Sequence, residues 1–392
     1  MSIQLASKYD ATQPYHIYYD LDLINNDTTG LNPPVELRFN EIRNSPFLMS
    51  PENYFMSVVR FSLQTPTLPV FIPQVQLGQS DPNKLIYSIT MSYNYLGTVY
   101  EFRQFINYVP TDLSLPLPNP PLDFQDLTSE YYFVFTYQHW ALMLNNTLTA
   151  CYNGLNALVV GAGGALPSPN TPFFEFDPQA LLFILDADEL GYDRGLANPI
   201  KIFVNTPLYT LLSSFQFTKY GFINITNGKN YQFDVYNVNN TNVLNLPTYN
   251  ALQMYQEGST IALLNPIQSL VFTTAMLPVI PSLTSVPKVF NAPSGLFNVG
   301  NNSNLTPVLT DFQVPISATN TYRPSVEYTP SSEYRLADLY GTSPLSALEM
   351  SVFWKDVYGG LHPFFLGAGC SANIKIMFRR KDFNTALLHK TI

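Results

Sequence analysis

In residues 85–93, Leu85, Tyr87, Ile89, Met91 and Tyr93 fall on one parity and Ile86, Ser88, Thr90 and Ser92 on the other. A period of two places an apolar row on one face of an extended strand and leaves the opposite face wetter. The pattern returns near the C-terminus. There Ala372, Ile374, Ile376 and Phe378 interleave with Asn373, Lys375, Met377 and Arg379, and Leu348, Met350, Val352 and Trp354 with Ala347, Glu349, Ser351, Phe353 and Lys355. Further strands are expected at 54–63, 173–185, 200–205, 231–236, 269–276 and 308–314, separated by Pro, Asn and Gly. The 32 prolines, abundant asparagine and 14% aromatics suggest many short strands joined by turns. The expected class is all-β: a sandwich of many short strands.

One segment departs from this pattern. Residues 137–157 carry Trp140, Leu144, Leu148, Cys151 and Leu155 at spacings of three or four, the stripe of an amphipathic helix. Residues 110–121, with Pro116, Pro118 and Pro120 inside, are too proline-dense for either ladder or helix and read as a linker or exposed loop. Residues 278–306 read as a second irregular loop or arm. No internal repeat is evident, which disfavours propellers and solenoids.

Charged residues make up only 12% of the 392, while 46% are hydrophobic. The core is therefore large, and the surface is covered by amides, hydroxyls and apolar atoms that are inexpensive to desolvate against neighbours. A formal charge of −9 opposes a general nucleic-acid coat. The one basic cluster, Arg379, Arg380 and Lys381, reads as a solvated strand end with genome contact as the minority alternative. Cys151 and Cys370 are too few and too far apart in sequence for a metal motif or disulfide framework, and are expected to be buried free thiols, with one disulfide as the alternative. Residues 1–10 lack a signal-peptide pattern, so assembly inside a reducing cell compartment is expected. The most apolar window, 261–280, is broken by Asn265, Pro266, Gln268 and Pro278, so no membrane span is expected.

Motifs that carry chemistry are weak. His16, His139, His362 and His389 have no partners at zinc or nucleophile spacings. Asp186, Asp188, Glu189 and Asp193 surround Gly191 as in a calcium loop, but Leu190 and Ala197 occupy ligand positions, so a solvated turn is expected. Gly161, Gly163 and Gly164 follow an apolar run, yet proline-rich sequence follows where phosphate cradling needs a helix start, so a flexible turn is expected. No acid pair suggests a hydrolase. The expectation is no enzyme, no catalytic, cofactor or metal residues, and no cofactor. The aromatic run Tyr131, Tyr132, Phe133, Phe135 and Tyr137, together with Trp354, admits a sugar-stacking surface, although such rings are more often core.

An ordered series of short motifs adds something that periodicity does not. Thr310-Asp311-Phe312, Tyr322-Arg323, Tyr328-x-Pro330, Glu333-Tyr334-Arg335 and Val352-Phe353-Trp354-Lys355-Asp356 are followed by Leu361-His362-Pro363-Phe364 and Lys375-x-x-Phe378-Arg379-Arg380. With Arg43-Asn44-Ser45-Pro46 and residues 54–63 upstream, the series resembles the minor capsid (penton) protein of virophages and polinton-like viruses. The resemblance implies a single jelly roll, five copies forming a homopentamer at each icosahedral fivefold vertex, neighbouring major capsid proteins, and a place in the virion. On that basis residues 1–100 and 255–392 are expected to form the two halves of the jelly-roll domain. Residues 101–254 are expected to form an inserted, mostly β domain containing the helix, which is also where a host-surface receptor or glycan site would lie. The first twenty or so residues, with Tyr15, Tyr18 and Tyr19, are expected to be either an arm reaching a neighbour or an ordinary sandwich edge.

Overall fold

The computed structural model describes residues 14–122, 125–127, 129–221, 227–281, 288–291, 295–298, 307–314, 325–329 and 335–382. The chain is mostly β and divides into two compact units. The first holds the described residues up to Leu68 and from Ile267 onward, and the second is Pro69–Pro266.

Eight strands frame the first unit: β1 (His16–Ile24), β2 (Arg38–Ile42), β3 (Tyr54–Gln64), β4 (Ile267–Thr273), β5 (Val308–Phe312), β6 (Ser325–Tyr328), β7 (Ala347–Asp356) and β8 (Ser371–Arg380). They form two antiparallel sheets, ordered β1-β8-β3-β6 and β2-β7-β4-β5. The chain changes sheet at every step except β4 to β5. The sheets meet through aromatic side chains. Phe61 of β3 lies 5.2 Å from Phe272 of β4 and 4.9 Å from Phe312 of β5 in the facing sheet, and 5.5 Å from Tyr328 of β6, its partner within its own sheet. Each such ring pair adds roughly 0.5–1.5 kcal/mol beyond the area it buries.

The expected dry rows are buried: Leu348, Met350, Val352 and Trp354 in β7, and Ala372, Ile374, Ile376 and Phe378 in β8. The expected wet face of β7 is not fully wet, because Glu349 and Ser351 are buried as well. Glu349 Oε1 accepts from Arg38 Nε and Ser351 Oγ, both at 3.0 Å, and Oε2 accepts from Ala275 N at 2.7 Å. An interior strand is flanked on both sides, and here its polar row is covered and satisfied.

The second unit has a five-stranded sheet, Phe217–Lys219, Tyr231–Phe233, Lys201–Val204, Lys84–Tyr95 and Thr98–Asn107 in spatial order, and a four-stranded one, Val243–Asn245, Asn250–Tyr255, Leu182–Asp188 and Phe173–Asp177. The expected half-wet strand at 85–93 is covered on both faces. Ser88, Thr90 and Ser92 are buried, Thr90 Oγ1 donates to Asn227 O at 3.0 Å, and a Cβ on Gly228 would lie 2.6 Å from Arg103 Nε. The expected strand at 173–185 is a hairpin instead. Asp177 Oδ1 accepts from Gln179 N and Ala180 N, turning the chain so that Leu181 sits at φ 61°.

The helix α1 spans Tyr137–Gly161 and buries Trp140, Leu144, Leu148, Cys151 and Leu155. Thr136 caps its start, accepting from His139 N at 3.2 Å. Residues 110–121 contain neither strand nor helix. Within 278–306 the described residues include the hairpin Lys288–Asn291/Gly295–Asn298, and the remainder of that stretch lies partly outside the described residues.

Candidate functional site

The acidic turn resolves into caps. Asp188 precedes the short helix Glu189–Tyr192 and accepts from Leu190 N at 2.9 Å, while its other oxygen takes Ser168 Oγ at 2.5 Å and Asn170 Nδ2 at 2.6 Å. Glu189 accepts from Asn237, and Asp193 from Gly195 N. Among the described residues no three His, Cys, Asp or Glu side chains are grouped so as to hold a metal ion. Asp186 points elsewhere. It is 0% exposed, and among the described residues no donor meets either carboxyl oxygen in full hydrogen-bond geometry. Desolvation pushes its carboxyl up to about 6, the nearby Glu175 charge adds to the rise, and the cross-strand Gln253 amide offsets part of it.

The glycines end a helix rather than cradle a phosphate. Gly163 lies at φ 80°, its N–H donates to Val160 O at 2.9 Å, and the N–H of Gly164 donates to Val159 O at 3.0 Å. This reciprocal pair is the Schellman arrangement, and the carbonyl end of a helix repels anions.

The three described histidines each have their own local partners. His16 stacks near Tyr18. His139 Nδ1 meets Thr111 Oγ1 at 3.2 Å and its Nε2 meets Val109 O at 2.7 Å. His362 is buried, 2.8 Å from Asp356 Oδ2, with its ring stacked 3.9 Å from Trp354. His389 lies outside the described residues. No sequence spacing signals the His362–Asp356 pair, which the tight turn after β7 creates by returning Leu361–Pro363 alongside that strand. Trp354 is occupied by this stack and by burial, so it offers no face to a sugar. Tyr131, Tyr132, Phe133 and Tyr137 are core residues too.

Cys151 and Cys370 are free thiols. The Cys151 thiol donates to Ile89 O at 3.1 Å, and burial pushes it up to about 12, which removes its nucleophilic form. The basic cluster is largely used in place. Arg380 is buried, pairs with Asp382 at 2.7 Å and lies over the Tyr15 ring, and Lys381 pairs with Asp338. These contacts fasten the end of β8.

Tyr18 and Tyr19 belong to β1, the outermost strand of its sheet, and are not part of a free arm; residues 1–13 lie outside the described residues. Tyr19 packs against Phe47 at 5.5 Å while Tyr18 is exposed. An open cavity of about 470 Å³ in the second unit is lined by Arg103, Phe105, Gln76, Asn205 and Asn230 among others. Asn205 is already spent there, accepting from Ser88 N at 3.1 Å and donating to Ile86 O at 2.8 Å. Among the described residues no helix is long and apolar enough to cross a membrane. Among the described residues the geometry offers antiparallel sheets and exposed apolar side chains, which suit docking to other proteins.

Comparison with known proteins agrees. The sequence model of the family described as Sputnik minor capsid protein V18/19 matches residues 17–380. The uncharacterized protein V18 of Sputnik virophage is 32% identical over 171 residues, 42% of this chain and 94% of that protein. Structural protein V19 of the same virophage is 26% identical over 220 residues, 55% of this chain and 97% of that protein. Among solved structures, a chain of the Sputnik virophage determined by cryo-EM superposes with a TM-score of 0.78 at 26% identity, covering 95% of this chain and 99% of that one. The mavirus penton protein has a similar fold, with a TM-score of 0.62 at 17% identity over 93% and 99% of the two chains.

Proposed function

The chain belongs to the Sputnik minor capsid protein V18/19 family, and from that premise we propose that five copies close each fivefold vertex of an icosahedral shell, beside major capsid proteins. It is a structural protein of the virion capsid, of the virophage minor capsid type. The observation that carries the vertex reading is the strand order of the first unit. The orders β1-β8-β3-β6 and β2-β7-β4-β5 are those of a single jelly roll, with Pro69–Pro266 inserted between β3 and β4. Such a sandwich keeps its shape when a connection is enlarged, because its core depends on the faces of strands and not on its loops.

The sequence supports the same role from a second direction. A surface poor in charge is inexpensive to dehydrate at several contacts at once. Electron cryomicroscopy of the particle tests the reading: density for this chain is expected at the fivefold vertices, and density confined to other shell positions refutes it.

A further inference from the structure

The second unit carries its charge unevenly. Between residues 69 and 266 there are fourteen Asp and Glu against six Lys and Arg, yet residues 85–100 and 131–174 contain none of the four. The structure brings parts of these two uncharged stretches together. Tyr95, in the hairpin of Lys84–Tyr95 and Thr98–Asn107, donates its hydroxyl to Gly163 O at 3.3 Å, and its ring fills the space where a Cβ on Gly164 would stand. The Phe102 ring lies against Gly154 in the same way. The hairpin tip and the C-terminal end of α1 therefore form one rim.

Beside Asn94 and Thr98 at the tip, much of that rim is apolar and exposed among the described residues. Residues 157–167 have no polar side chain, and Leu158 and Val160 are exposed there. On the hairpin, Val99 is 56% exposed and Leu96 87% exposed. Leu96 and Gly97 form the two-residue connection, both at positive φ, 51° and 85°. Asn-Gly is the pair that suits such a connection; leucine is disfavoured there both by its backbone conformation and by its exposure. The described residues of the unit leave the Leu96 side chain almost fully exposed, and a contact outside the unit would account for a leucine there.

We propose that this rim is a contact between copies of the chain. The inference rests on the reading that the protein assembles in several copies, and it names the surface. Copies of an acidic unit repel one another where their carboxylates face, and the rim is where two of them approach without that penalty. Residues 94–100 and 157–167 offer a basic partner no carboxylate.

The test uses the full-length chain and the double variant Leu96→Asn, Val160→Lys. Asparagine suits the positive φ and lysine suits a helix C-terminus, so both substitutions favour the fold. Mass photometry across a concentration series is expected to show oligomers of the unaltered chain. The variant should need at least tenfold higher concentration to form them, with an unchanged or higher melting temperature. Oligomers of the variant at the concentrations of the unaltered chain overturn the proposal while leaving multi-copy assembly intact. An unaltered chain that stays monomeric refutes self-assembly itself and the proposal with it. Binding of the unaltered chain to phosphatidylcholine vesicles, lost in a variant that assembles normally, assigns the rim to a lipid surface and also overturns the proposal.

Discussion

Replacing Asp186 by asparagine should stabilise the second unit at neutral pH and not at acid pH. The folded carboxyl titrates at about 6, against 3.8 for the free group, a difference of about two units or roughly 3 kcal/mol. The direction follows from linkage. The folded state holds the proton more tightly, so its advantage is complete below about pH 4, declines as pH rises, and is gone above about pH 6. At pH 7.5 the native chain carries a buried anion whose desolvation the Gln253 amide only partly offsets. Asparagine removes the charge but buries an amide whose N–H groups must find acceptors, and Gln253 Oε1 is already taken by Tyr255. That loss is worth about 1–2 kcal/mol, leaving a net gain of roughly 1–2 kcal/mol. Urea unfolding of both proteins between pH 4 and 8 checks this, because their difference cancels every other titrating group. The variant should gain on the native chain as pH rises from 4 to 6.5 and hold that gain above. A difference that is flat across this range, or a variant less stable at pH 7.5, refutes the assignment of Asp186 as an unpaired buried carboxylate.

Three further outcomes follow from named contacts. Gly154→Ala places a methyl 2.4 Å from the Phe102 ring, so α1 and the hairpin must separate; a loss of about 1–3 kcal/mol is expected in thermal unfolding. Glu349→Ala removes the acceptor of Arg38, Ser351 and the Ala275 N–H, and should destabilise the first unit by about 2–3 kcal/mol in urea titration. Iodoacetamide at pH 8 should modify Cys370 in the native protein and leave Cys151 untouched, with both modified after denaturation; mass spectrometry of the native reaction reads this directly.

Periodicity located elements wherever one face of the chain meets a core and nothing else competes. In α1 the three-to-four spacing of Trp140, Leu144, Leu148, Cys151 and Leu155 became one buried stripe, and in β8 the alternation of Ala372 to Phe378 became another. The same rule misjudged Ser88, Thr90 and Ser92, and likewise Glu349 and Ser351. A polar row is wet only if nothing covers it, and the covering groups, Asn227 and Gly228 in one case and Arg38 and Ala275 in the other, come from distant sequence. Residues 173–185 were misread because apolar side chains continue through the turn, and only the Asp177 cap reveals that the chain reverses.

Assembly residues are harder still to read, since a surface that binds another protein obeys no periodicity of its own. Gly161, Gly163 and Gly164 read as a flexible turn because glycine was weighed without its neighbours. The Schellman hydrogen bonds of Gly163 and Gly164 make it rigid, and Tyr95 fixes it against the hairpin. A rigid apolar rim buries its surface against a partner without first losing conformational entropy, so more of the buried area appears as affinity. The glycines that looked like looseness are therefore what allow the helix end and the strand to approach closely enough to present one surface.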